Sequence, residues 1–247
     1  MAERRHELGL VPRIATVLFF ISIPILLVST NVRWATNEVG LYHYSFDQYD
    51  AEAATGISRS QLDRAADKLV RYFNNDDKTI RIFVQEDDRR VSLFNERETS
   101  HLTDVKNLFR TVFRVQEASL AFALVLIVAV FIWAVEAPLR VLARIVLQAS
   151  LFTLGLLALF GILALVGFDE LFLRFHLVAF TNDLWKLNPN TDHLIQMFPR
   201  DFWFDATMLV AGLTAVEAVL LASLSAIYLG VRLRLRVGPL AAGQPRA

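Results

Sequence analysis

Two segments of the sequence carry residues suited to acid–base chemistry. The first, SHLTDVKNLF at residues 100–109, contains His101 and Asp104 shortly before a long apolar run. Ser100 is expected to cap a helix whose first turn holds His101, where the helix dipole favours a neutral imidazole that can act as a base. Asp104, on the same face, could accept a hydrogen bond from one ring nitrogen and leave the other free; Glu98 is the alternative partner. The competing interpretation is a packed or solvated interfacial histidine.

The second segment, residues 168–204, is dense in phenylalanine and tryptophan. Aromatic side chains concentrate at the membrane–water boundary, so this segment is expected to lie partly in the membrane. Holding polar groups there costs free energy unless they are hydrogen-bonded or take part in binding or catalysis. This favours a site that an amphiphile can reach. The alternative is a re-entrant aromatic belt whose polar residues are helix caps. The polar residues of this stretch and its end are His176, Asn182, Asp183, Asp192, Arg200, Asp201 and Asp205.

The composition predicts an integral membrane protein. Of 247 residues 55% are hydrophobic and only 20% charged, and the mean hydropathy is +0.42, which is too apolar for an ordinary soluble domain. Twenty-five basic and 25 acidic residues balance, so no overall field favours nucleic acid as a partner. Cysteine is absent, which excludes disulfides, thiol nucleophiles and cysteine-ligated zinc.

Four apolar stretches are long enough to cross a bilayer as helices. They cover residues 14–32, 120–135, 145–168 and 206–230. The first is predicted to be a retained anchor, because its apolar run exceeds a typical signal-peptide core and no small-residue cleavage site follows. The N-terminus, the link between the second and third spans, and the C-terminal tail all carry arginines and are therefore expected to be cytoplasmic. Both long loops are then expected on the extracytoplasmic side. These arginines are Arg4, Arg5, Arg13, Arg140, Arg144, Arg232, Arg234 and Arg236.

The first long loop is predicted to fold as a small α/β cap. A capping box at Ser58 and Gln61 precedes a helical apolar stripe that begins at Leu62, and two alternating runs around Val84 and Val91 indicate a β-hairpin. The predicted fold class is mainly α: four transmembrane helices, an extracytoplasmic α/β cap and an aromatic-rich interfacial loop. The predicted segments are 1–35 (N-terminus and first span), 36–115 (cap), 116–137 (second span), 138–144 (cytoplasmic link), 145–168 (third span), 169–205 (interfacial loop), 206–230 (fourth span) and 231–247 (basic cytoplasmic tail).

The two chemical segments together resemble a bacterial family of four-span integral membrane proteins that includes the lipoprotein intramolecular transacylase. The pairing of HLTDVKNLF with FHLVAFTNDLWKLNPNTDHLIQMFPRDFW carries the resemblance, with Gly-Ile-Ser at 56–58 and Tyr-Phe-Asn at 72–74. The family often has an acidic residue directly before the tryptophan, whereas here Leu184 separates Asp183 from Trp185.

The resemblance implies a cell-membrane enzyme that moves one acyl chain of a diacylglyceryl-modified lipoprotein onto the α-amine of its N-terminal cysteine. His101 would be the general base, oriented by Asp104 or Glu98, and His176 the second catalytic residue. The implied partners are membrane lipids and the lipoprotein substrate, with no cofactor, no metal and no nucleic acid. The substrate or oxyanion contacts carried over from the motif are Lys106, Asn182, Asp183, Trp185 and Arg200.

Three other functions remain open from the sequence. A non-catalytic envelope scaffold or sensor would use the cap to bind a partner. A transporter would need ionisable residues within the spans, for which Glu217 is the candidate. An extracytoplasmic metal site is conceivable because four histidines are predicted to face outward, although no metal-binding spacing supports it. These histidines are His43, His101, His176 and His193.

Overall fold

The architecture is that of eight helices and one hairpin within residues 10–86, 89–133 and 138–237, the part of the chain that the computed structural model describes. The order is α1 Leu10–Asn37, α2 Val39–Gln48, α3 Ala51–Thr55, α4 Arg59–Asn74, β1 Phe83–Glu86, β2 Arg89–Ser92, α5 Glu96–Trp133, α6 Pro138–Ala179, α7 His193–Met197 and α8 Arg200–Val237.

Four of these helices, α1, α5, α6 and α8, are long and apolar enough to cross a membrane. Their large apolar side chains stay exposed on the protein surface, as expected for contact with lipid tails: Val125 is 68% exposed and Val166 is 84% exposed. The predicted fold class, four spans with a small two-stranded sheet, is confirmed.

The helices extend beyond the predicted apolar stretches. Residues 138–144, predicted to be a link, form the first turns of α6, and α8 continues through 231–237, where a tail was predicted. Within α6 the backbone leaves helical geometry at Gly167 (φ −161°, ψ 62°), so the predicted end of the third span at residue 168 falls at a kink. A further helical piece continues to Ala179, and α8 starts at Arg200, so both ends of the predicted interfacial loop are helical. Hydropathy marks only the part of a helix that matches the hydrocarbon thickness, whereas backbone hydrogen bonding continues into polar sequence. Arg4 and Arg5 lie outside the described residues.

The chain divides into two compact units. The first comprises the described parts of 1–28, 115–158 and 213–247 and contains apolar portions of the four long helices. Its core includes Phe19 and Ile23 of α1, Ala123 of α5 and Ala149 of α6. Glu217 belongs to this unit, on α8.

The second unit, Ser29–Arg114 with Leu159–Gly212, contains the α/β cap. The amphipathic helix predicted there is confirmed as α4, whose Leu62, Leu69 and Phe73 are buried. The predicted hairpin is also confirmed, with β1 and β2 antiparallel and Val84 opposite Val91. Helices α2 and α3 were not predicted; they pack in the same apolar core.

The predicted capping box of α4 is wrong. Ser58 precedes the helix but makes no side-chain cap hydrogen bond. The Gln61 side chain instead accepts from the Gln85 backbone N–H at 2.6 Å and donates to the Gln85 carbonyl at 3.0 Å. A strand edge offers both a donor and an acceptor, and a carboxamide can satisfy both at once. Gln61 therefore ties α4 to the hairpin.

Candidate active site

The two histidines singled out from the sequence lie side by side in the second unit. His101 is on α5 and His176 is on the last turn of α6, and their ring centroids are 6.5 Å apart. Both side chains are buried, with 7% and 8% of their surface exposed. Segments separated by 75 positions in sequence are therefore brought into one site.

Helix α5 begins earlier than predicted, and this changes the position of His101. Its cap is a reciprocal pair: Asn95 Oδ1 accepts from the Glu98 backbone N–H at 3.0 Å, and Glu98 Oε2 accepts from the Asn95 N–H at 2.8 Å. Ser100 is inside the helix and does not cap it. His101 consequently lies in the second turn, beyond the unpaired amides that concentrate the dipole at the helix start.

Glu98 does not orient His101. Its carboxylate is 1% exposed, and its second oxygen, Oε1, accepts from the backbone N–H of Leu194 at 2.6 Å. Both oxygens therefore serve backbone amides, one at the start of α5 and the other in α7. Such charge-assisted bonds satisfy helix-end donors that would otherwise be buried without a partner. Glu98 fixes α7 against the start of α5.

A hydrogen bond defines the tautomer of His176. Its Nδ1 lies 2.7 Å from the carbonyl oxygen of Phe172, one turn earlier on α6. A carbonyl can only accept, so Nδ1 carries the hydrogen and the neutral ring presents its lone pair at Nε2. On His101, the buried Nδ1 has no hydrogen-bond partner among the described residues. In each ring, one nitrogen atom, Nδ1 of His101 and Nε2 of His176, makes no hydrogen bond to the described residues.

Aromatic rings surround the histidine pair. The centroid of His176 is 4.3 Å from that of Phe172 and 4.8 Å from that of Trp185. Phe180 contacts both imidazoles, at 5.1 Å from His101 and 5.7 Å from His176. The aromatic density of this segment was noticed in the sequence, but the role of Phe180 was not. Its spacing of one helical turn after His176 is the signal that could have indicated a shared face.

Asp104 contacts the loop after α6, and its predicted hydrogen bond to His101 is not formed. Its Oδ2 accepts from Asn182 Nδ2 at 2.9 Å, while the Asn182 side-chain oxygen accepts from the Leu184 N–H at 3.0 Å. Asp104 and Asn182 both line a cleft of about 260 Å³, together with Phe180. The cleft therefore shares an aromatic wall with the histidine pair.

Lys106, predicted to contact substrate, forms hydrogen bonds with residues of the cap. Its ammonium donates to Asn75 Oδ1 at 3.0 Å and to the Asp77 carbonyl at 2.7 Å, and it lies 3.9 Å from the centroid of Tyr72. A buried ammonium requires such hydrogen-bond acceptors and ring faces to offset its lost hydration. These contacts hold the loop between α4 and β1 against α5.

Asp183 and Arg200 are exposed and form surface ion pairs. Asp183 pairs with Lys186 at 2.7 Å. Arg200, the first residue of α8, donates to Asp169 at 2.6 Å and to Asp201 at 2.7 Å. Ion pairs at this exposure contribute little to stability. The guanidinium connects the start of α8 to α6.

The described residues do not support the alternative of a metal site. Within residues 10–86, 89–133 and 138–237, no group of three or more histidine and acidic side chains is placed to hold a metal ion. His193 Nδ1 lies 2.7 Å from the Leu93 carbonyl, and His43 lies 3.4 Å from Asp63. His193 thus has a backbone partner, and His43 lies near a carboxylate.

Comparison with known proteins identifies the family. Residues 17–203 match the family described as lipoprotein intramolecular transacylase Lit. The fold is similar to the crystal structure of the membrane integral lipoprotein intramolecular transacylase Lit from Bacillus cereus, with a TM-score of 0.75 and 20% identity, covering 91% of this chain and 98% of that one. A variant of that protein with a histidine replaced by alanine gives a TM-score of 0.71 at 19% identity, covering 91% and 96%.

A curated relative, an uncharacterised protein of Aquifex aeolicus (strain VF5), is 30% identical over 127 residues, which is 51% of this chain. The chain spans about half of that relative, 54% of its length. The resemblance drawn from the sequence is thus confirmed at the level of the family, and the chain is a multi-pass integral membrane protein. Because the family match covers residues 17–203, the chain belongs to the lipoprotein intramolecular transacylase family.

Proposed function

We propose that this chain transfers an acyl chain within one diacylglyceryl-modified lipoprotein, from a glycerol ester to the α-amine of the N-terminal cysteine. His101 and His176 carry the proton transfers. The observation that supports this proposal is the pair itself: two buried imidazoles, 6.5 Å apart between centroids, with nitrogen atoms that make no hydrogen bond to the described protein. Imidazole is the side chain best suited to take and return protons near neutral pH.

The proton balance of the reaction calls for two bases. The substrate ammonium must lose two protons in becoming an amide nitrogen. One C–N bond forms, one ester C–O bond breaks, one proton ends on the glycerol oxygen, and the other is released to water. A single imidazole would have to lose its first proton before accepting the second, whereas a pair can hold both during one passage through the tetrahedral intermediate.

We assign one of the two proton transfers from the substrate nitrogen to each ring. The His101 imidazole takes the first proton from the ammonium, so that the free amine can attack the ester carbonyl. His176 Nε2, whose lone pair is exposed because Nδ1 donates to Phe172, takes the second proton from the attacking nitrogen. His101 then gives its proton to the departing glycerol oxygen, and His176 releases its own to water. Each imidazole is returned to its starting form.

Trp185 is the proposed donor to the oxyanion. Its ring lies 4.8 Å from that of His176 between centroids, and its indole N–H donates to none of the described residues. A donor held beside the reacting carbonyl stabilises the negative charge that develops in the tetrahedral intermediate. Asp104 positions this loop through Asn182, so that its role is indirect. Lys106, Asp183 and Arg200 support the surrounding structure in this proposal.

An intramolecular reaction reduces what the enzyme must supply. Amine and ester belong to one molecule, so binding the substrate in a reactive geometry replaces the encounter of two reactants. No activated acyl carrier is then needed, and the proposed partners are the lipoprotein and the surrounding lipids. We propose that the site lies on the extracytoplasmic side, because His101 and His176 belong to the two segments, 36–115 and 169–205, that the distribution of arginines predicts to be outside.

Tandem mass spectrometry of a lipoprotein N-terminus tests the proposal. The chain is coexpressed with a tagged lipoprotein in a bacterial strain that leaves lipoproteins in the diacylglyceryl form. Product and substrate are isomers, so the intact mass is unchanged and fragmentation must locate one acyl chain on nitrogen. His101→Ala and His176→Ala should each abolish this species, while His193→Ala, a matched control with its own backbone partner, should retain it.

Two outcomes would contradict the proposal. A product heavier by one acyl chain would show transfer from a second molecule. N-acylation that persists in both site variants, with normal amounts of folded protein, would exclude the histidine mechanism and favour a scaffold or sensor that acts through its cap.

A further inference from the structure

A second cleft, of about 440 Å³, is lined by residues that the proposed reaction does not use. It lies in the second unit, where α1 ends, α2 begins and α8 passes through its first turns. Apolar and aromatic side chains form most of its wall, and Trp34 and Tyr44 are 45% and 40% exposed. The lining residues are Trp34, Glu38, Gly40, Leu41, Tyr44, Asp205 and Leu209.

Two carboxylates face this apolar cleft without a cationic partner among the described residues. Tyr44 and Tyr49 both donate to one oxygen of Asp205, Oδ2, at 2.7 and 2.5 Å, which leaves Oδ1 with no hydrogen bond from that part of the chain. The hydrogen bond to Asp205 raises the pKa of Tyr44 above its ordinary value, so the phenol remains a donor. Glu38 uses one oxygen to cap α2 at the Gly40 N–H, at 3.1 Å. Each carboxylate therefore keeps one oxygen for a ligand.

The same cleft contains one unused donor. The indole N–H of Trp34 makes no hydrogen bond to the described residues, whereas that of Trp203 donates to the Phe198 carbonyl at 3.1 Å. Trp34 lies in the last turn of α1, at the end of a candidate membrane span. Tryptophan at this depth places its N–H at the level of lipid phosphates and ester carbonyls.

We propose that this cleft binds a zwitterionic phospholipid with a primary ammonium headgroup, of the phosphatidylethanolamine type. The ammonium donates to Asp205 Oδ1 and to the free oxygen of Glu38, and it lies against the ring of Tyr44. The phosphate or ester oxygen accepts from the Trp34 N–H, and an acyl chain follows Leu209 along α8. Charge complementarity excludes anionic lipids as the preferred occupant, since both open acceptors are negative. The proposal is independent of the histidine chemistry.

Competitive lipid retention tests this site on the full chain. The protein is reconstituted in nanodiscs that contain equal amounts of phosphatidylethanolamine, phosphatidylcholine and phosphatidylglycerol, then extracted gently and analysed by native mass spectrometry. Phosphatidylethanolamine should be retained in preference to phosphatidylcholine, which lacks ammonium N–H donors, and phosphatidylglycerol should be retained least. Asp205→Asn should weaken the retention of phosphatidylethanolamine about tenfold, which corresponds to about 1.4 kcal/mol.

The variant and its control are matched for fold and charge. Asparagine keeps a side-chain oxygen for the two tyrosine hydroxyls, so Asp205→Asn removes the charge without removing those hydrogen bonds. Asp67→Asn, on the exposed face of α4, makes the same charge change outside the cleft and should retain phosphatidylethanolamine as the wild-type chain does. Equal retention of the three lipids, or an unaltered preference in Asp205→Asn, would overturn the proposal. Displacement of the lipid by a diacylglyceryl-cysteine peptide would also overturn it, by assigning the cleft to the substrate.

Discussion

Two substitutions at His176 separate its proton chemistry from its structural contacts. An asparagine amide nitrogen falls near the position of histidine Nδ1, so His176→Asn can keep the 2.7 Å hydrogen bond to Phe172 while it removes Nε2. His176→Phe instead keeps a ring among the neighbouring aromatics, at 4.8 Å from Trp185, and removes both nitrogens. The only feature that both variants lose is the lone pair at Nε2.

The expected loss of rate follows from that shared feature. A positioned acid–base group contributes about 10² to 10⁴ in rate, or about 2.7 to 5.5 kcal/mol of barrier. We expect both variants to slow N-acylation by at least about 10². Stability should differ between them: His176→Asn loses aromatic contacts that contribute about 0.5 to 1.5 kcal/mol per pair, whereas His176→Phe retains ring packing.

The assay is the initial rate of N-acyl product formation by purified protein in lipid nanodiscs, with a synthetic diacylglyceryl-cysteine peptide as substrate. Thermal unfolding in the same nanodiscs reports stability. His193→Asn is the control, since it makes the same change at a histidine with the same kind of backbone hydrogen bond, 2.7 Å long, and should react at the wild-type rate. If either His176 variant retained a rate within about threefold of wild type, the assignment of Nε2 as a base would be refuted.

Three further outcomes are expected. Trp185→Phe keeps the ring beside His176 but removes the proposed oxyanion donor, so the N-acylation rate should fall about 10² to 10³ with little change in unfolding temperature; an unchanged rate would exclude this donor. Glu98→Gln leaves one of two backbone amides without an acceptor, at a cost of about 1–3 kcal/mol, and should lower the unfolding temperature; equal stability would mean that the carboxylate is not needed there. Gln61→Ala removes the acceptor of the Gln85 N–H, which should exchange with deuterium faster, whereas unchanged protection would show that another group shields it.

Local patterns in the sequence predicted much of the fold because the forces behind them are local. Apolar runs longer than the hydrocarbon thickness identified the four spans, and spacing alone identified α4 and the hairpin. Helix ends were predicted less well. Ser100 is as good a cap by type as Asn95, but only Asn95 has Glu98 three residues later with both oxygens bound to backbone amides. That second acceptor role depends on Leu194, which is distant in sequence.

The sequence by itself determined the membrane class, the number of spans, the family and the identity of the two histidines, because residue type and spacing record each of these. Only the tertiary structure decided that the two imidazoles lie side by side, that Asp104 accepts a hydrogen bond from Asn182 and that Lys106 donates hydrogen bonds to the cap. Hydrogen-bond partners are chosen by distance in space: a carboxylate on α5 binds whichever donor the loop after α6 brings within reach. Such long-range pairings carry no periodic signal, since they depend on how helices pack and not on the order of residues along any one of them.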